Sequence, residues 1–225
     1  MNDKAYEDAI VKSWYKNVDA WTNAVRDAQI SSRVTVTDAA IVNAVVARSP
    51  ASVLDLGCGE GWLARALTDL GLSTVGLDVV PDLIAKASAR GGKFKVLSYQ
   101  EFAAGKWSQQ VDCVVCNFSL LGKELVGGVL RAMPAVMGAS GHCIIQTLHP
   151  AYVGEPYCDG WRQGSWAGFS SDFVEPPPWY FRTLSSWLSL FADCGLHLKE
   201  FIEPLNTDTG QPASLIFVLA SAGKA

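Results

Sequence analysis

The sequence predicts an α/β domain built on a mostly parallel sheet that is covered by helices on both faces. Short apolar runs alternate with segments of helical periodicity from about residue 49 to the end of the 225-residue chain. The apolar runs are nearly continuous, as is typical of strands that are buried on both faces. Glycines follow several of the predicted helices, at Gly71, Gly91 and Gly195, and glycine is a common helix terminator.

The chain begins with a predicted helical extension over residues 1–48, and residues 49–225 form the main domain. In the extension, large apolar residues recur at helix-compatible spacing: Tyr6, Ile10, Trp14 and Trp21. The predicted strands cover residues 52–56, 73–78, 94–97, 111–116, 141–148, 197–203 and 214–220. The predicted helices cover residues 60–70, 81–90, 123–137 and 183–194, after one at about 37–47 in the extension.

Composition argues against a nucleic-acid or membrane partner. The net charge is −4, the sequence has no Lys/Arg-rich run, and nucleic-acid affinity depends mainly on phosphate contacts. Hydrophobic residues make up 49% of the chain, but no apolar run approaches the roughly 18 residues of a membrane span. The first residues have neither the basic nor the apolar region of a signal peptide, so a cytoplasmic location is expected.

The six cysteines show no metal or redox pattern. Cys113 and Cys116 have CxxC spacing, but they lie in a predicted strand, where positions three apart face opposite sides. We therefore expect reduced cysteines that pack in the core. No His/Asp/Glu cluster has the spacing of metal ligands, and no metal is expected.

A glycine-rich turn follows the first predicted strand, in the sequence Val-Leu-Asp-Leu-Gly-Cys-Gly-Glu-Gly of residues 53–61. Gly57 and Gly59 allow the backbone to turn tightly and a ligand to approach closely. Asp78 ends the next strand roughly 20 residues on, where a carboxylate typically binds the ribose hydroxyls of a nucleotide. These features together predict a nucleoside-type ligand over the carboxyl ends of the first two strands.

The spacing of the glycines argues against a dinucleotide. A G-x-G-x-x-G pattern that starts at Gly57 would need its third glycine where the sequence has Trp62. Asp55 lies two residues before Gly57, where it can receive a ligand's amino group directly or through water. The loop therefore suits a cationic amino-acid head better than a pyrophosphate, which argues against the alternative of a nicotinamide-dependent oxidoreductase.

These residues resemble the motifs of class I S-adenosylmethionine-dependent methyltransferases, and the chain is similar to the small-molecule enzymes of ubiquinone and menaquinone biosynthesis. Residues 53–61 match the first motif, residues 76–78 the second and residues 111–119 the fourth. The resemblance implies a Rossmann-like fold of seven strands, with the sixth and seventh paired antiparallel. It implies methyl transfer from S-adenosylmethionine to a small-molecule acceptor, and the alternatives are binding without transfer or transfer of a modified group.

The resemblance also implies roles for individual residues. Asp55 would lie near the methionine amino group, Asp78 would bind the ribose hydroxyls and Val79 would pack on adenine. The other cofactor-binding candidates line the methionine and sugar or lie beside the sulfonium: Gly57, Cys58, Gly59, Asn117 and Phe118.

One position departs from the motif pattern of these enzymes. Their third motif usually offers an acidic residue to the adenine amino group, whereas this sequence has Ser98 at that place. We expect Ser98 or the backbone of Tyr99 to bind adenine instead.

Residues 149–181 interrupt the alternation of strands and helices and are rich in glycine, proline and aromatic residues. A segment of this length between regular elements is unusual unless it is functional. We interpret it as a lid over an apolar or aromatic acceptor, with a packed cluster or a dimer contact as alternatives. The candidate acceptor contacts are Tyr152, Trp166, Trp179 and, just beyond the segment, Arg182.

Methyl transfer needs little chemistry from the protein, because the sulfonium is already activated. His149 ends the fifth predicted strand and is the candidate base, since an imidazole pKa of about 6.5 suits proton removal. The alternative is that His149 hydrogen-bonds the loop and shapes the pocket. Arg182 is predicted either to bind an acidic group of the acceptor or to pair with a carboxylate such as Glu203.

Overall fold

A seven-stranded sheet and eight α-helices organise the part of the chain that the computed structural model describes, residues 2–221 without the side chain of Ala139. The helices are α1 (Asp3–Lys16), α2 (Val18–Arg26), α3 (Asp38–Val46), α4 (Trp62–Asp69), α5 (Pro81–Ser88), α6 (Tyr99–Ala103), α7 (Glu124–Val136) and α8 (Leu184–Asp193). The strands are β1 (Ser52–Leu56), β2 (Ser73–Asp78), β3 (Lys93–Val96), β4 (Val111–Asn117), β5 (Met137–Thr147), β6 (Gly160–Arg162), β7 (Trp179–Phe181), β8 (Leu196–Ile202), β9 (Leu205–Asn206), β10 (Gln211–Pro212) and β11 (Leu215–Ser221). Within these residues, no helix is both long enough and apolar enough to cross a membrane.

The strand order in the sheet is β3-β2-β1-β4-β5-β11-β8. Neighbouring strands are parallel except at β11, which runs antiparallel to both β5 and β8. The predicted α/β class, the seven strands and the antiparallel pairing of the last two are therefore confirmed. Because β1 has β2 on one side and β4 on the other, a crevice opens at the carboxyl ends of β1 and β4.

The two faces of the sheet bury separate apolar cores. On one face, α6, α7 and α8 cover Leu54, Val114 and Phe217. On the other face, α3 and α4 cover Val53 and Val115. The nearly continuous apolar strands follow from this arrangement, because successive residues of a strand point to opposite cores.

Cys113 and Cys116 belong to opposite cores, as their positions in a strand require. All six cysteines are free thiols, and Cys158 is the exposed one. Burial raises the pKa of Cys113 to about 12, so this thiol stays protonated. The CxxC spacing is therefore a feature of core packing.

The N-terminal helices divide into two groups. α1 and α2 lie near the carboxyl edge of the sheet, where Val18 packs with Val80 and Leu83. α3 instead packs on the sheet through Ile41. Part of the predicted extension, residues 1–48, therefore belongs to the sheet layers, because α3 has a buried apolar face.

Some element boundaries differ from the prediction for local physical reasons. The helix predicted from residue 60 begins at Trp62, because Gly61 has a left-handed φ of +84°. α6 was not predicted, since five residues are too few to show helical periodicity. Its N-terminus is a capping box, in which Ser98 Oγ accepts a hydrogen bond from Glu101 N at 3.1 Å.

Phe217 of β11 is fully buried and contacts Phe191 and Trp187 of α8. Alanine at this position would leave a cavity, so we expect Phe217→Ala to lower the free energy of unfolding by about 3–5 kcal/mol. Urea unfolding followed by circular dichroism measures the change. The control is Leu188→Ala on the exposed side of α8, with an expected loss below about 1 kcal/mol. Equal losses in the two variants would contradict this description of the core.

Candidate functional site

The glycine loop after β1 is held against the end of β2. The N–H groups of Gly57 and Cys58 both donate to the Leu77 carbonyl, at 2.8 and 3.0 Å. Gly57 has a φ of +76°, a left-handed conformation that favours glycine. A Cβ atom on Gly57 would lie 2.7 Å from the Tyr99 hydroxyl and closer still to Ser119. The loop therefore requires glycine both for its conformation and for lack of space.

Asp78 joins the end of β2 to this loop. Its Oδ2 accepts a hydrogen bond from Gly59 N, and its Oδ1 accepts one from Val80 N, each at 2.9 Å. Burial raises the pKa of Asp78 above its usual value, although these backbone donors oppose the rise. Each carboxylate oxygen keeps further lone-pair capacity, so Asp78 can also accept hydrogen bonds from a pair of ligand hydroxyls.

Asp55 is a buried carboxyl group with an unpartnered oxygen. The residue is 1% exposed, and its Oδ2 has no hydrogen-bond partner among the described residues. Burial, with a smaller contribution from the Asp78 charge, raises the pKa of Asp55 to about 7. Because an unsatisfied buried oxygen costs free energy, Asp55 marks a place where a cationic polar group would be stabilised.

Two more unpartnered oxygens lie on the same face of the sheet as Asp55. Asn117 ends β4 and is in register with Gln146 of β5. The side-chain oxygens of both residues are buried without a partner in the described chain, whereas Gln146 Nε2 donates to Ser214 Oγ at 2.8 Å. Strand alternation therefore places Asp55, Asn117 and Gln146 on one face of three adjacent strands, at their carboxyl ends.

Two buried donors lie in a π-helical turn (Arg33–Thr37) that precedes α3. α3 packs on the sheet and leads directly into the start of β1, so its own N-terminus lies towards the carboxyl edge. Arg33 Nη1 and Thr37 Oγ1 have no partner among the described residues. The Arg33 guanidinium donates to the Asp38 carboxylate through Nε at 2.9 Å and through Nη2 at 3.2 Å. The central carbon of this guanidinium lies 4.6 Å from the centroid of the Trp62 ring. Arg33 is thus fixed beside the residue that follows the glycine loop.

We call these five atoms the polar cluster: Asp55 Oδ2, Asn117 Oδ1, Gln146 Oε1, Arg33 Nη1 and Thr37 Oγ1. They are the complete set of buried, unpartnered side-chain nitrogen and oxygen atoms in residues 2–221. An α-amino-acid group suits such a set, since its ammonium needs acceptors and its carboxylate needs donors. Arg33, Thr37 and Gln146 are not among the predicted site residues, and their only local signal is the position of Thr37 at the start of a predicted helix.

Val79 lies directly after β2, under the N-terminal helices. It packs beside Trp14 and Trp21, and its carbonyl accepts a hydrogen bond from the Tyr15 hydroxyl at 3.4 Å. The indole nitrogen of Trp21 lies 3.2 Å from where a Cβ on Gly59 would be. α1 and α2 therefore cover the glycine loop and the end of β2.

The side chains of Ser98 and Tyr99 are engaged within the protein. Ser98 Oγ belongs to the capping box of α6, and the Tyr99 hydroxyl donates towards the Ser119 carbonyl at 3.2 Å. Burial raises the pKa of Tyr99 well above its usual value, so it remains a neutral phenol. The first backbone N–H groups of a helix lack intrahelical partners, which leaves the start of α6 as the group here that suits a ligand.

An apolar cavity of about 300 Å³ lies at the carboxyl ends of β4 and β5, where Phe118 and Thr147 line it. Phe118 directly follows Asn117 of the polar cluster along the chain. Its φ of +51° is unusual for a residue with a side chain, and such strain is common at functional sites. Trp166 and Trp179, two of the predicted acceptor contacts, also line the cavity, together with Trp14 of α1.

The aromatic segment, residues 149–181, is fastened to α1. Ser13 Oγ donates to the Glu175 carbonyl at 2.6 Å, and Lys16 forms an ion pair with the Glu175 carboxylate. The Asn17 side chain exchanges two hydrogen bonds with the Val174 backbone, each at 2.8 Å. The segment and α1 thus close one side of the apolar cavity together, and the opening of this segment as a lid remains a prediction.

His149 and Tyr152 lie outside the lining of the apolar cavity. His149 is 5% exposed; its Nε2 bonds to Glu203 Oε1 at 2.7 Å, and its Nδ1 accepts a hydrogen bond from Ala151 N at 3.2 Å. This geometry favours the second predicted role of His149, which is to shape the loop. A 3₁₀ turn (Pro150–Tyr152) places the Tyr152 ring edge-on against His149 with 52% of the residue exposed, so the structure gives no support to Tyr152 as an acceptor contact.

Arg182 lines the apolar cavity and is 5% exposed. Its guanidinium donates to the carbonyls of Gly122 and Lys123, each at 2.9 Å. The suggested partner Glu203 bonds to His149 instead, so the alternative of an Arg182–Glu203 pair is wrong.

Comparison with known proteins places these features in a family. A family model described as a methyltransferase domain matches residues 34–200, which include the glycine loop, Asp78 and Asn117. A ubiquinone biosynthesis O-methyltransferase of Xanthomonas axonopodis pv. citri (strain 306) is 28% identical over 172 residues. That alignment covers 71% of this chain and 68% of the relative.

Solved structures show the same fold. An S-adenosylmethionine-dependent methyltransferase from Mesorhizobium loti superposes with a TM-score of 0.60 and 21% identity, over 80% of this chain and 95% of that one. The glycopeptide N-methyltransferase MtfA, solved in complex with S-adenosylmethionine, gives a TM-score of 0.63 at 13% identity, over 82% and 87% of the two chains. The predicted class I methyltransferase fold is therefore confirmed.

The lack of space at Gly57 predicts that any side chain at this position destabilises the fold. We expect Gly57→Ala to lower the free energy of unfolding by about 3 kcal/mol or more, because the new Cβ meets Tyr99 and Ser119. Gly71 has a similar φ of +88° but open space around it, so Gly71→Ala should cost only about 1 kcal/mol. Urea unfolding compares the two variants, and equal losses would show that crowding does not constrain the loop.

The raised pKa of Asp55 predicts how stability depends on pH. The pKa is about 7 in the folded chain against an ordinary value of 3.8, so the unfolded chain releases this proton first as pH rises. The contribution of protonated Asp55 to stability is therefore complete below about pH 4 and is lost by about pH 7 to 8. Asp55→Asn should gain stability relative to the wild type between about pH 5 and pH 8, measured by urea unfolding without ligand.

Asp112→Asn is the control for this pH dependence. Hydrogen bonds from Ser52 and Ala51 lower the pKa of Asp112, so this carboxylate is ionised in both states above about pH 5. Its replacement should destabilise the protein by an amount that stays constant over the same pH range. A constant difference for Asp55→Asn as well would contradict the raised pKa of Asp55.

Proposed function

The chain belongs to the methyltransferase-domain family, whose model matches residues 34–200, and from this premise we propose that it transfers a methyl group from S-adenosylmethionine to a small-molecule acceptor. The cofactor product is S-adenosylhomocysteine. The polar cluster carries this proposal, because its unpartnered atoms suit the amino-acid end of the cofactor. Asn117, a member of this cluster, directly precedes Phe118, which lines the apolar cavity. This cavity suits the acceptor.

The polar cluster would hold the amino-acid end of S-adenosylmethionine. Asp55, Asn117 and Gln146 would accept hydrogen bonds from its ammonium group. Arg33 Nη1 and Thr37 Oγ1 would donate to its carboxylate. The ammonium would favour the ionised form of Asp55 and so offset the burial that raises its pKa.

The ends of β2 and β3 would hold the nucleoside. Asp78 would accept hydrogen bonds from the ribose hydroxyls, and Val79 would pack against adenine. The backbone at the start of α6, next to Ser98 and Tyr99, would bind the adenine edge. Backbone groups of residues 57–59 would form the wall beside the methionine and sugar, where the glycines permit a close approach.

When bound, the cofactor supplies a methyl group on a cationic sulfur that is already activated for transfer. Asn117 and Phe118 would flank this sulfur, since they lie where the polar cluster meets the apolar cavity. Trp166 and Trp179 would exclude water and hold a flat acceptor in line with the methyl group. The protein's main contribution would then be orientation and desolvation.

His149 would act as a positioning residue in this scheme. Both of its ring nitrogens already have partners, Glu203 and the Ala151 N–H group, so neither is available to take a proton from an acceptor. Its role would be to fix the turn that leads from β5 into the aromatic segment.

We place the reaction in the cytoplasm and assign it a small molecule rather than a nucleic acid as acceptor. The six free thiols suit a reducing compartment. The net charge of −4 disfavours a polyanionic substrate. The name of the relative, an O-methyltransferase of ubiquinone biosynthesis, favours an oxygen atom as the site of methylation.

Calorimetric titration with S-adenosylmethionine, S-adenosylhomocysteine and NAD tests the cofactor assignment. We expect binding of both adenosyl ligands and none of NAD. Asp78→Asn should weaken the binding of S-adenosylhomocysteine by about 10- to 100-fold, because it removes charge-assisted hydrogen bonds to the ribose.

The matched control is Asp82→Asn, which alters an exposed carboxylate in the first turn of α5 and should leave the affinity unchanged. If the folded protein bound neither adenosyl ligand, the proposed function would be wrong. Binding of NAD in their place would support an oxidoreductase instead.

A further inference from the structure

One charged residue lines the apolar cavity. Arg182 is the only charged residue among the described residues that line it, and it is 5% exposed. Its guanidinium lies 4.8 Å from the Tyr180 ring and 5.0 Å from the Trp187 ring. Its two hydrogen bonds go to backbone carbonyls, which are neutral. These contacts fix the plane of the guanidinium but do not neutralise its charge.

The carboxylates that act on Arg182 from nearby elements are engaged elsewhere. They are Asp159, Glu124 and Glu7, and none of them forms an ion pair with Arg182 in residues 2–221. Glu7 accepts hydrogen bonds from two backbone N–H groups at the start of α7. Asp159 accepts from the start of α8, and Glu124 pairs with Lys123. The Arg182 guanidinium therefore has no carboxylate of the described residues in contact with it.

A buried cation without an anion is destabilising, and a ligand that brings an anion offsets this cost. Burial accordingly lowers the pKa of Arg182 below its usual value. A guanidinium has five N–H donors in a planar fork that matches the two oxygens of a carboxylate. The carbonyls of Gly122 and Lys123 take two of these donors, which leaves others for a ligand.

The other walls of the cavity specify the rest of the ligand. Trp14, Trp166, Trp179 and Phe118 form large aromatic surfaces around a volume of about 300 Å³. A flat ring system packs well between such surfaces, and the volume suits a small molecule.

We infer that the methyl acceptor is a small aromatic acid whose carboxylate binds the Arg182 guanidinium inside the apolar cavity. The inference rests on the proposed function in one respect, which is that the cavity is the acceptor site. It identifies the chemical class of the acceptor from the one charged residue among the described residues of a mostly apolar lining. A neutral aromatic ligand of the same shape would leave Arg182 buried and unpaired, so the site should select against it.

A pair of probe ligands tests the inference without knowledge of the natural acceptor. The probes are 2-naphthoate and 2-naphthamide, which share their shape and differ in charge. Titration is followed by tryptophan fluorescence, since tryptophans line the cavity, in the presence of S-adenosylhomocysteine and again in its absence. We expect the wild type to bind the carboxylate about 30-fold more tightly than the amide.

Three variants assign the preference to one residue. Arg182→Gln should abolish the preference, and Arg182→Lys should keep part of it, because lysine retains the charge but lacks the planar fork. Arg162→Gln is the matched control, since Arg162 also stacks on an aromatic ring, 3.7 Å from Phe181, and bonds to backbone carbonyls. Arg162 does not line the cavity, so its variant should keep the full preference.

The outcomes separate this inference from the proposed function. Equal affinity of the wild type for the two probes, including no measurable affinity for either, would overturn the acid site. Retention of the carboxylate preference in Arg182→Gln would also overturn it and leave Arg182 as a support for the loop before α7. Failure to bind S-adenosylhomocysteine would instead contradict methyl transfer, while a preference for naphthoate would still support the acid site.

Discussion

The end of β1 passes so close to the loop after β4 that no side chain fits between them, and the rest of the site depends on this approach. The Ser119 hydroxyl donates to the Leu56 carbonyl at 2.7 Å, and the Tyr99 hydroxyl lies 3.4 Å from the same oxygen. This contact fixes where the chain must turn at Gly57, and the turn then carries the backbone to the end of β2, where Asp78 accepts its next N–H group. One backbone constraint thus brings the carboxyl ends of three strands within reach of one ligand.

Two environments of opposite character meet at the end of β4. Asn117 belongs to the polar cluster, whereas Phe118, the next residue, lines the apolar cavity. Transfer of a methyl group from a cationic sulfur removes the positive charge of that sulfur. An apolar cavity stabilises such a charge less than water does. Under the proposed function, this arrangement would bind the zwitterionic end of the donor firmly and would stabilise its reactive sulfonium little.

Local sequence was sufficient wherever the position of a residue depends on its immediate neighbours. The glycine turn and Asp78 could be predicted because a strand, a turn and a second strand place them together. The Ser98-x-x-Glu101 spacing is a helix-start signature that the capping box of α6 displays, whereas the binding of adenine near Ser98 stays a prediction. Arg33 and Gln146 could not be found in this way, because only the packing of α3 on the sheet brings them to the same edge.

Trp14 of α1 contributes to two parts of the site. It lines the apolar cavity, and it also packs beside Val79 near the end of β2. A hydrogen bond from Ser13 and an ion pair from Lys16 join the same helix to Glu175 of the aromatic segment, which lines the apolar cavity. One helix therefore contributes to both enclosures, and a displacement of α1 would uncover the apolar cavity and the end of β2 together.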